Sequence, residues 1–210
     1  MGTDEKAKEG RDLKATGVRF DTADAPLLAL YRRAEKRCEE NRRAFGGDTV
    51  LVEGGGYEKI WLETQPMGGE MYAKRDLTVG LNNVLLFLRH QREDGRLPGS
   101  IMLENGRVVP QFNKFQGFCF PAPALNLYYL IGKDAAYLEA LESGLRRFDE
   151  YLWRTRDSGR SGLLESWCVC DTGEDNALRL GDAPFWWTEE TPPTGYASVP
   201  MRSMDVTSYS

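Results

Sequence analysis

An acidic run near the end of the chain has the residue types that acid–base chemistry needs. Asp171, Glu174 and Asp175 lie within five residues, in the sequence Asp-Thr-Gly-Glu-Asp. Carboxylates this close repel one another, so at least one pKa is expected to rise if the run is half-buried. A carboxylic acid that holds its proton at neutral pH can act as a general acid, as glycoside cleavage requires. Two other interpretations stay open: a solvated acidic turn in which Asp171 caps a helix, and a calcium loop, although the spacing does not match an EF-hand.

The composition limits acid–base chemistry to carboxylates. The 210-residue chain has one histidine, His90, near the end of a predicted helix, which argues against mechanisms built on a histidine base. The four cysteines have neither a disulfide-framework pattern nor zinc-ligand spacing, so we expect free thiols, no metal and no other cofactor. These cysteines are Cys38, Cys119, Cys168 and Cys170.

Charge and hydropathy exclude further classes of protein. Lys and Arg number 27 against 32 Asp and Glu, and the net charge of −5 argues against nucleic acid as the main partner. No apolar run reaches the length of a membrane helix, and the charged N-terminus lacks the apolar segment of a signal peptide. We therefore expect a cytoplasmic protein without a membrane partner. Residues 1–23 are predicted to be a flexible tail, and residues 24–210 a single domain.

Hydrophobic spacing predicts a mainly α-helical fold with a small β-hairpin. Residues 121–131 are apolar on every side, which is typical of a helix buried all round, whereas residues 135–155 have one apolar and one charged face. A buried helix joined by a short turn to an amphipathic one indicates an inner–outer hairpin of a two-layered helical ring. A helix is predicted over 26–44 and ended by Gly46-Gly47, with one buried face formed by Leu27, Leu30, Tyr31, Ala34 and Cys38. The other predicted elements are helices over 76–91 and from about 203, a strand at 50–52 and a hairpin over 101–112 around Asn105-Gly106.

Three irregular segments, 46–75, 92–120 and 156–182, alternate with these helices. If the helix over 76–91 is an outer one, all three emerge on the same face of the ring and form one pocket. Aromatic rings beside carboxylates and amides suit a neutral, hydroxyl-rich ligand such as a sugar. The predicted pocket residues are Trp61, Glu63, Gln65, Glu70, Gln116, Phe118, Phe120, Trp167, Asp171, Glu174 and Asp175. For the large rings, packing beneath the loops is the alternative.

Several short motifs, in the same chain order, resemble those of the (α/α)6-barrel glycosidases, the group that contains trehalase and mannosyl-oligosaccharide glucosidase. The run over 171–176 resembles their Glu-Ser-Gly-x-Asp segment, and Gly68-Gly69-Glu70 resembles a glycine-rich segment near the start of their catalytic domain. Residues 94–99 resemble their Gly-x-Ile/Leu-Pro turn, residues 116–123 their Ser-Gln-Pro-Pro entrance to an inner helix, and Met204-Asp205-Val206 the Val-Asp-Leu-Asn that opens the next inner helix.

The resemblance covers about residues 55–210 and implies a partial (α/α)6 toroid with inverting glycoside hydrolase activity on a carbohydrate. The general acid of this group closes the Glu-Ser-Gly-x-Asp segment and corresponds to Asp175. The same segment contacts the sugar, which makes Trp167 and Asp171 candidate binding residues. Asp171 stands where the group has Glu, and Glu174 where it has an apolar residue.

The resembled ring needs six hairpins, and this chain has room for about half of them. The resemblance therefore implies the N-terminal half of a catalytic domain, with the catalytic base, a Glu, expected beyond Ser210 and no hydrolysis by the chain alone. A half-ring would expose the helix over 121–131, including Leu127 and Tyr128. We expect self-association through this exposed half-barrel surface.

Two other functions stay open at this point. A sugar-binding or scaffold protein would keep the pocket and lack turnover. Another helical-toroid enzyme, a sugar epimerase or a polysaccharide lyase, would need a different base, for which Tyr57 or Tyr72 are the candidates. A downstream Glu facing Asp175 would distinguish the hydrolase from the binding protein.

Overall fold

Six helices and three small antiparallel sheets make up the part of the chain that the computed structural model describes, residues 17–117, 120–174 and 177–210. The helices are α1 (Ala25–Glu40), α2 (Gln65–Ala73), α3 (Leu77–Arg89), α4 (Pro121–Leu130), α5 (Ala135–Thr155) and α6 (Met204–Tyr209). The strands are β1 (Arg42–Phe45), β2 (Asp48–Leu51), β3 (Lys59–Trp61), β4 (Ser100–Glu104), β5 (Arg107–Gln111), β6 (Glu165–Ser166) and β7 (Met201–Arg202). β1 pairs with β2, β4 lies between β3 and β5, and β6 pairs with β7. The predicted mainly helical class is confirmed.

Helices α3 and α5 and the hairpin β4–β5 form where the sequence predicts them. The carboxylates of Asp76 and Asp134 cap α3 and α5, each accepting a hydrogen bond from the backbone N–H three residues on, at 3.2 and 2.7 Å. The hairpin turns at Asn105 and Gly106, whose φ angles of 50° and 75° suit a two-residue turn. None of the helices in the described part is both long and apolar enough to span a membrane.

The segment over 46–75 is largely regular, so its prediction as an irregular loop is wrong. Its second half is α2, which packs tightly against α3 because glycines lie at the contact. A Cβ atom on Gly69 would lie 2.6 Å from the Cβ of Asn83, and one on Gly80 would lie 2.6 Å from the Cβ of Ala73. The glycines that suggested a loop therefore serve close helix packing.

Helix α1 is shorter than predicted and contains no buried residue. The glycines at 46–47 form the turn between β1 and β2 and do not end the helix. Leu27 and Leu30, predicted to face the core, are exposed. The helix contacts the remainder through a 3.0 Å hydrogen bond that Arg75 donates to the hydroxyl of Tyr31 and through Cys38, which packs against the cluster of Leu51, Tyr72 and Val79. Its apolar face is therefore not buried as expected.

Burial in the ring differs from the predicted inner and outer helices. Most of α3 is buried, whereas α4 buries only Ala124 and Leu127 among its described residues. The expectation that the helix over 121–131 is buried all round is therefore wrong, as is the expected exposure of Leu127. The apolar side chains that α4 does expose are Leu125, Tyr129 and Leu130. Self-association through this face stays a prediction.

Candidate active site

Glu63 and Gln116 form the centre of the predicted pocket. Glu63 lies in the turn between β3 and α2, and Gln116 lies just before α4. The amide of Gln116 donates a 2.6 Å hydrogen bond to the Glu63 carboxylate, and the backbone N–H of Glu63 donates to the Gln116 amide oxygen at 3.3 Å. These reciprocal bonds join two of the three segments that the sequence predicts to converge.

The acidic run joins the same centre through its backbone. The N–H of Gly117 donates to the carbonyl of Asp171 at 2.9 Å. Gly173 lies directly against Glu63, since a Cβ atom on that glycine would be 2.2 Å from the carboxylate oxygen. All three predicted segments therefore meet at one place, although the helices between them differ from the expected arrangement.

Asp171 is buried beneath this meeting point and does not reach solvent. Its carboxylate accepts 2.7 Å hydrogen bonds from the guanidinium of Arg156 and from the backbone N–H of Trp167. Arg156 is itself buried, and burial lowers its pKa while the charge of Asp171 acts in the opposite sense. This arrangement matches neither a solvated helix cap nor a group that contacts a sugar.

Arg156 lies between two aromatic rings. Its guanidinium carbon is 3.5 Å from the ring centroid of Phe115 and 3.8 Å from that of Trp167. The indole N–H of Trp167 donates to Glu165 at 2.9 Å, and only 1% of this residue is exposed. Trp167 therefore packs in the core beneath the loops, which was the alternative prediction for the large rings. It does not lie in an open sugar site, as the resemblance implied. Phe120 is buried in the same way.

The second acid of the run, Glu174, forms an ion pair of 2.9 Å with Arg179. Arg179 also pairs with Asp205 at the start of α6. Because Asp171 and Glu174 face different arginines, their predicted mutual repulsion is relieved. Arg179 thereby ties the acidic run to the motif that opens α6.

The other residues predicted to line the pocket lie around this centre or outside the described part of the chain. The carboxamide oxygen of Gln65 accepts hydrogen bonds from the backbone of Trp61 at 2.7 Å and from the hydroxyl of Thr64 at 2.6 Å, so it joins β3 to α2. Trp61 lies at the end of β3, largely covered. Glu70 lies in the second half of α2 and is half-buried. Phe118 and Asp175 lie outside the described residues.

Sequence reasoning missed three cations at this site. Arg156 follows an amphipathic helix, where an exposed side chain is the ordinary expectation, and nothing in the pattern shows its burial. The ammonium groups of Lys59 and Lys114 lie over the ring of Trp61, at 5.3 and 5.0 Å from its centroid. Lys59 lies two residues before Trp61 in β3, and side chains two residues apart on a strand point to the same face. The position of Lys59 beside Trp61 could therefore have been predicted from the sequence.

Outside this site, the described part of the chain shows a cavity that no predicted site residue lines. A cavity of about 370 Å³ is lined by Leu163, Arg202, Ser203, Met204, Thr207 and Ser208, none of which is a predicted site residue. Among the residues that the structure describes, no three His, Cys, Asp or Glu side chains are grouped so that they could hold a metal ion.

The fold is that of part of a helical toroid, and solved structures share it. A GH63 mannosylglycerate hydrolase from Thermus thermophilus in complex with Tris is 22% identical with a TM-score of 0.57, over 72% of this chain and 40% of its own. The same enzyme with Tris and D-glycerate is 22% identical with a TM-score of 0.54, over 77% of this chain and 44% of its own. An uncharacterized conserved protein from the same organism is 23% identical with a TM-score of 0.53, over 71% and 40%.

At this identity the likeness concerns the fold, and this chain spans less than half the length of each of those structures. No protein-family model and no curated protein sequence matches the chain. The fold class predicted from the sequence agrees with these structures.

Proposed function

We propose that this chain contributes the general-acid side of the active site of an inverting glycoside hydrolase. The observation that carries the proposal is the meeting of the three predicted segments at Glu63. Gln116 bonds to its carboxylate, Gly117 binds the backbone of Asp171, and Gly173 lies against it. Each segment carries a motif that resembles the (α/α)6-barrel glycosidases. Solved structures of a GH63 mannosylglycerate hydrolase share the fold, which supports the same class.

The buried Arg156–Asp171 pair gives the acidic run a rigid base. Asp171 is fixed by its ion pair with Arg156, and Gly173 lies against Glu63. In the proposal, Asp175, two residues after Gly173 in the sequence, acts as the general acid. Glu63 orients hydroxyl groups of the sugar, the buried Gln116 holds the Glu63 carboxylate in place, and Trp61 lies at the edge of the site. Glu70 and Phe118 complete the sugar site as predicted.

The reaction is a single displacement at the anomeric carbon. Asp175 donates its proton to the glycosidic oxygen as the bond from the anomeric carbon to that oxygen breaks. A second carboxylate, a Glu in the remaining hairpins, removes a proton from the water that attacks the opposite face of the sugar. Inversion requires the two carboxyl groups to be about 6.5–9.5 Å apart, with that water between them. The substrate is a carbohydrate glycoside, and the chain alone does not hydrolyse it.

The test is turnover in a protein that extends through the remaining hairpins, beside the 210-residue chain. Asp175→Asn should lose at least about a hundredfold in kcat, the usual effect of removing an acid–base group. Glu174→Gln is the matched control, since it changes a neighbouring acid that pairs with Arg179, and it should keep most activity. Near-normal rates in Asp175→Asn, with loss in Glu174→Gln, would contradict the assignment. Sugar binding without turnover in the extended protein would favour a binding protein.

A further inference from the structure

Two lysines flank the same tryptophan at the edge of the candidate site. Lys59 lies on β3 and Lys114 lies three residues after β5, and their ammonium groups are 5.3 and 5.0 Å from the ring centroid of Trp61. The ammonium group of Lys114 is also 4.0 Å from the ring centroid of Trp186, which is 40% exposed. Trp61 itself is buried, whereas the other three side chains are at least partly exposed. We call these two cations and two indoles the lysine–indole cluster.

The two charges of this cluster are not neutralised by the described chain. Lys59 donates a 2.7 Å hydrogen bond to the neutral amide oxygen of Gln111. The described contacts of both ammonium groups are with this amide and the two rings, and none is with a described carboxylate. Burial, together with the charge of Lys114, lowers the pKa of Lys59. An anion bound beside the two ammonium groups would offset the repulsion between their charges.

Two arginines that are also half-buried in this acidic chain do have carboxylate partners. Arg42 pairs with Asp76 at 3.1 Å, and Arg75 pairs with Glu35 at 3.1 Å. The ring contacts alone explain Lys114, since a cation between two indoles is a stabilising arrangement. They do not explain why Lys59 lies close to it without an acid. The pattern is that of a site built for an anionic ligand.

The cluster lies beside the centre of the candidate active site. Trp61 is two residues before Glu63, and Lys114 is two residues before Gln116, so one sugar-sized ligand could span both places. We propose that Lys59 and Lys114 bind the phosphate group of a phosphorylated sugar, whose ring lies toward Glu63 and Gln116. A phosphate monoester carries nearly two negative charges at neutral pH, which matches two ammonium groups better than one carboxylate does. The sugar part of this proposal rests on the proposed function; the anion part rests on the lysines.

The experiment measures binding to the 210-residue chain by tryptophan emission and calorimetry, and needs no turnover. Glucose 6-phosphate should bind at least about tenfold more tightly than glucose, since a charged hydrogen bond contributes about that factor or more. Lys59→Gln and Lys114→Gln should each remove most of this gain, and Lys114→Arg should keep it. Lys133→Gln is the matched control, because Lys133 also lies over a ring, that of Tyr129 at 5.6 Å, and it should have no effect.

The outcomes separate this proposal from the proposed function. Equal affinity for glucose and glucose 6-phosphate, or equal losses in Lys59→Gln and Lys133→Gln, would overturn the phosphate site while leaving the sugar site intact. Inorganic phosphate that binds as tightly as glucose 6-phosphate, with the same dependence on Lys59, would support the phosphate site and contradict the sugar site. Glucuronate that binds as tightly as glucose 6-phosphate would overturn the assignment to phosphate. The described ring contact of Lys59 is with Trp61 and not with Trp186. Lys59→Gln therefore tests the phosphate site even if Lys114→Gln disturbs the loop around Trp186.

Discussion

Arg156 and Lys114 are both cations between two aromatic rings, and the two regions around them differ in burial and in counterion. Arg156 lies between Phe115 and Trp167, is almost fully buried, and forms a 2.7 Å ion pair with Asp171. Lys114 lies between Trp61 and Trp186 in a half-exposed position, without a described carboxylate partner. A buried charge needs its counterion from the same chain, because desolvation is costly. A half-exposed one can take its counterion from a ligand.

This comparison assigns different roles to the two regions. The Arg156–Asp171 pair is a structural support beneath the acidic run, and the lysine–indole cluster is a place where a ligand binds. Substitutions in the first region should therefore change the free energy of unfolding, and those in the second should change binding. The predictions below separate these two effects.

The largest effect is expected for Arg156→Met. This change leaves Asp171 buried without a counterion and should lower the free energy of unfolding by about 3–5 kcal/mol, measured by urea denaturation. The control is Arg146→Met, which removes an exposed pair with Glu142 and should cost less than about 1 kcal/mol. If Arg156→Met does not fold, Arg156→Met with Asp171→Leu should recover much of the loss, since no unpaired charge remains. Equal effects of Arg156→Met and Arg146→Met would show that the pair is not a support.

A smaller effect is expected for Gly173→Ala, which tests the contact between the acidic run and Glu63. Gly173 has a φ of 73°, and its new Cβ would lie 2.2 Å from the Glu63 carboxylate. The backbone cost is about 1–2 kcal/mol of unfolding free energy, and the contact adds to it. Gly162→Ala isolates the backbone cost, because Gly162 has a φ of 76° and open space around its Cβ position.

A double-mutant cycle measures the part of the cost of Gly173→Ala that comes from the contact with Glu63. In a Glu63→Ala background, Gly173→Ala should cost no more than Gly162→Ala does. An unchanged cost in that background would mean that the acidic run does not touch Glu63.

The thiol of Cys168, which lies beside Asp171, makes the free energy of unfolding depend on pH. Burial, and then the charge of Asp171, raise the pKa of this thiol well above its usual range. The folded chain therefore keeps a proton that the unfolded chain loses above about pH 8.5, so stability falls as the pH rises, by about 1.4 kcal/mol per pH unit. Comparing wild type with Cys168→Ala from pH 7 to pH 10 checks this, because the variant should lack this part of the slope. Parallel curves would contradict it.

The smallest effect on stability is expected for Lys114→Met. A half-exposed cation over aromatic rings contributes about 0.5–1 kcal/mol, far less than the buried pair. Denaturation followed by tryptophan emission measures this loss, and Lys114→Arg should restore it by returning a cation to the rings. A loss of several kcal/mol would make Lys114 a structural residue like Arg156 and would remove the contrast between the two regions.

The sequence predicts well the elements that local chemistry determines. Asn105-Gly106 specifies its hairpin, because both residues tolerate positive φ. The charged and apolar faces of residues 135–155 specify α5. The three predicted segments do contact one another at Glu63, although α3, which that prediction required to be an outer helix, is mostly buried.

The predictions from sequence fail where contacts between distant parts of the chain determine the structure. Gly68 and Gly69 weaken a helix in isolation, yet both lie within α2, where Asn83 leaves room only for a glycine at position 69. The burial of Arg156 depends on two rings that are distant in sequence, which no local pattern reveals. For Asp171, its acidic neighbours suggested a crowded catalytic loop, whereas an arginine fifteen residues earlier turns it inward.

The central claim is that Asp175 donates a proton to the leaving group, and the most direct test is the dependence of the rate on that group. In the extended protein, wild type and Asp175→Asn are compared on an alkyl glycoside and on the 2,4-dinitrophenyl glycoside of the same sugar. Dinitrophenolate departs without protonation, so Asp175→Asn should keep nearly the wild-type rate on it and lose at least about a hundredfold on the alkyl glycoside. Equal losses on both substrates, or no loss on the alkyl glycoside, would contradict the assignment of Asp175 as the general acid.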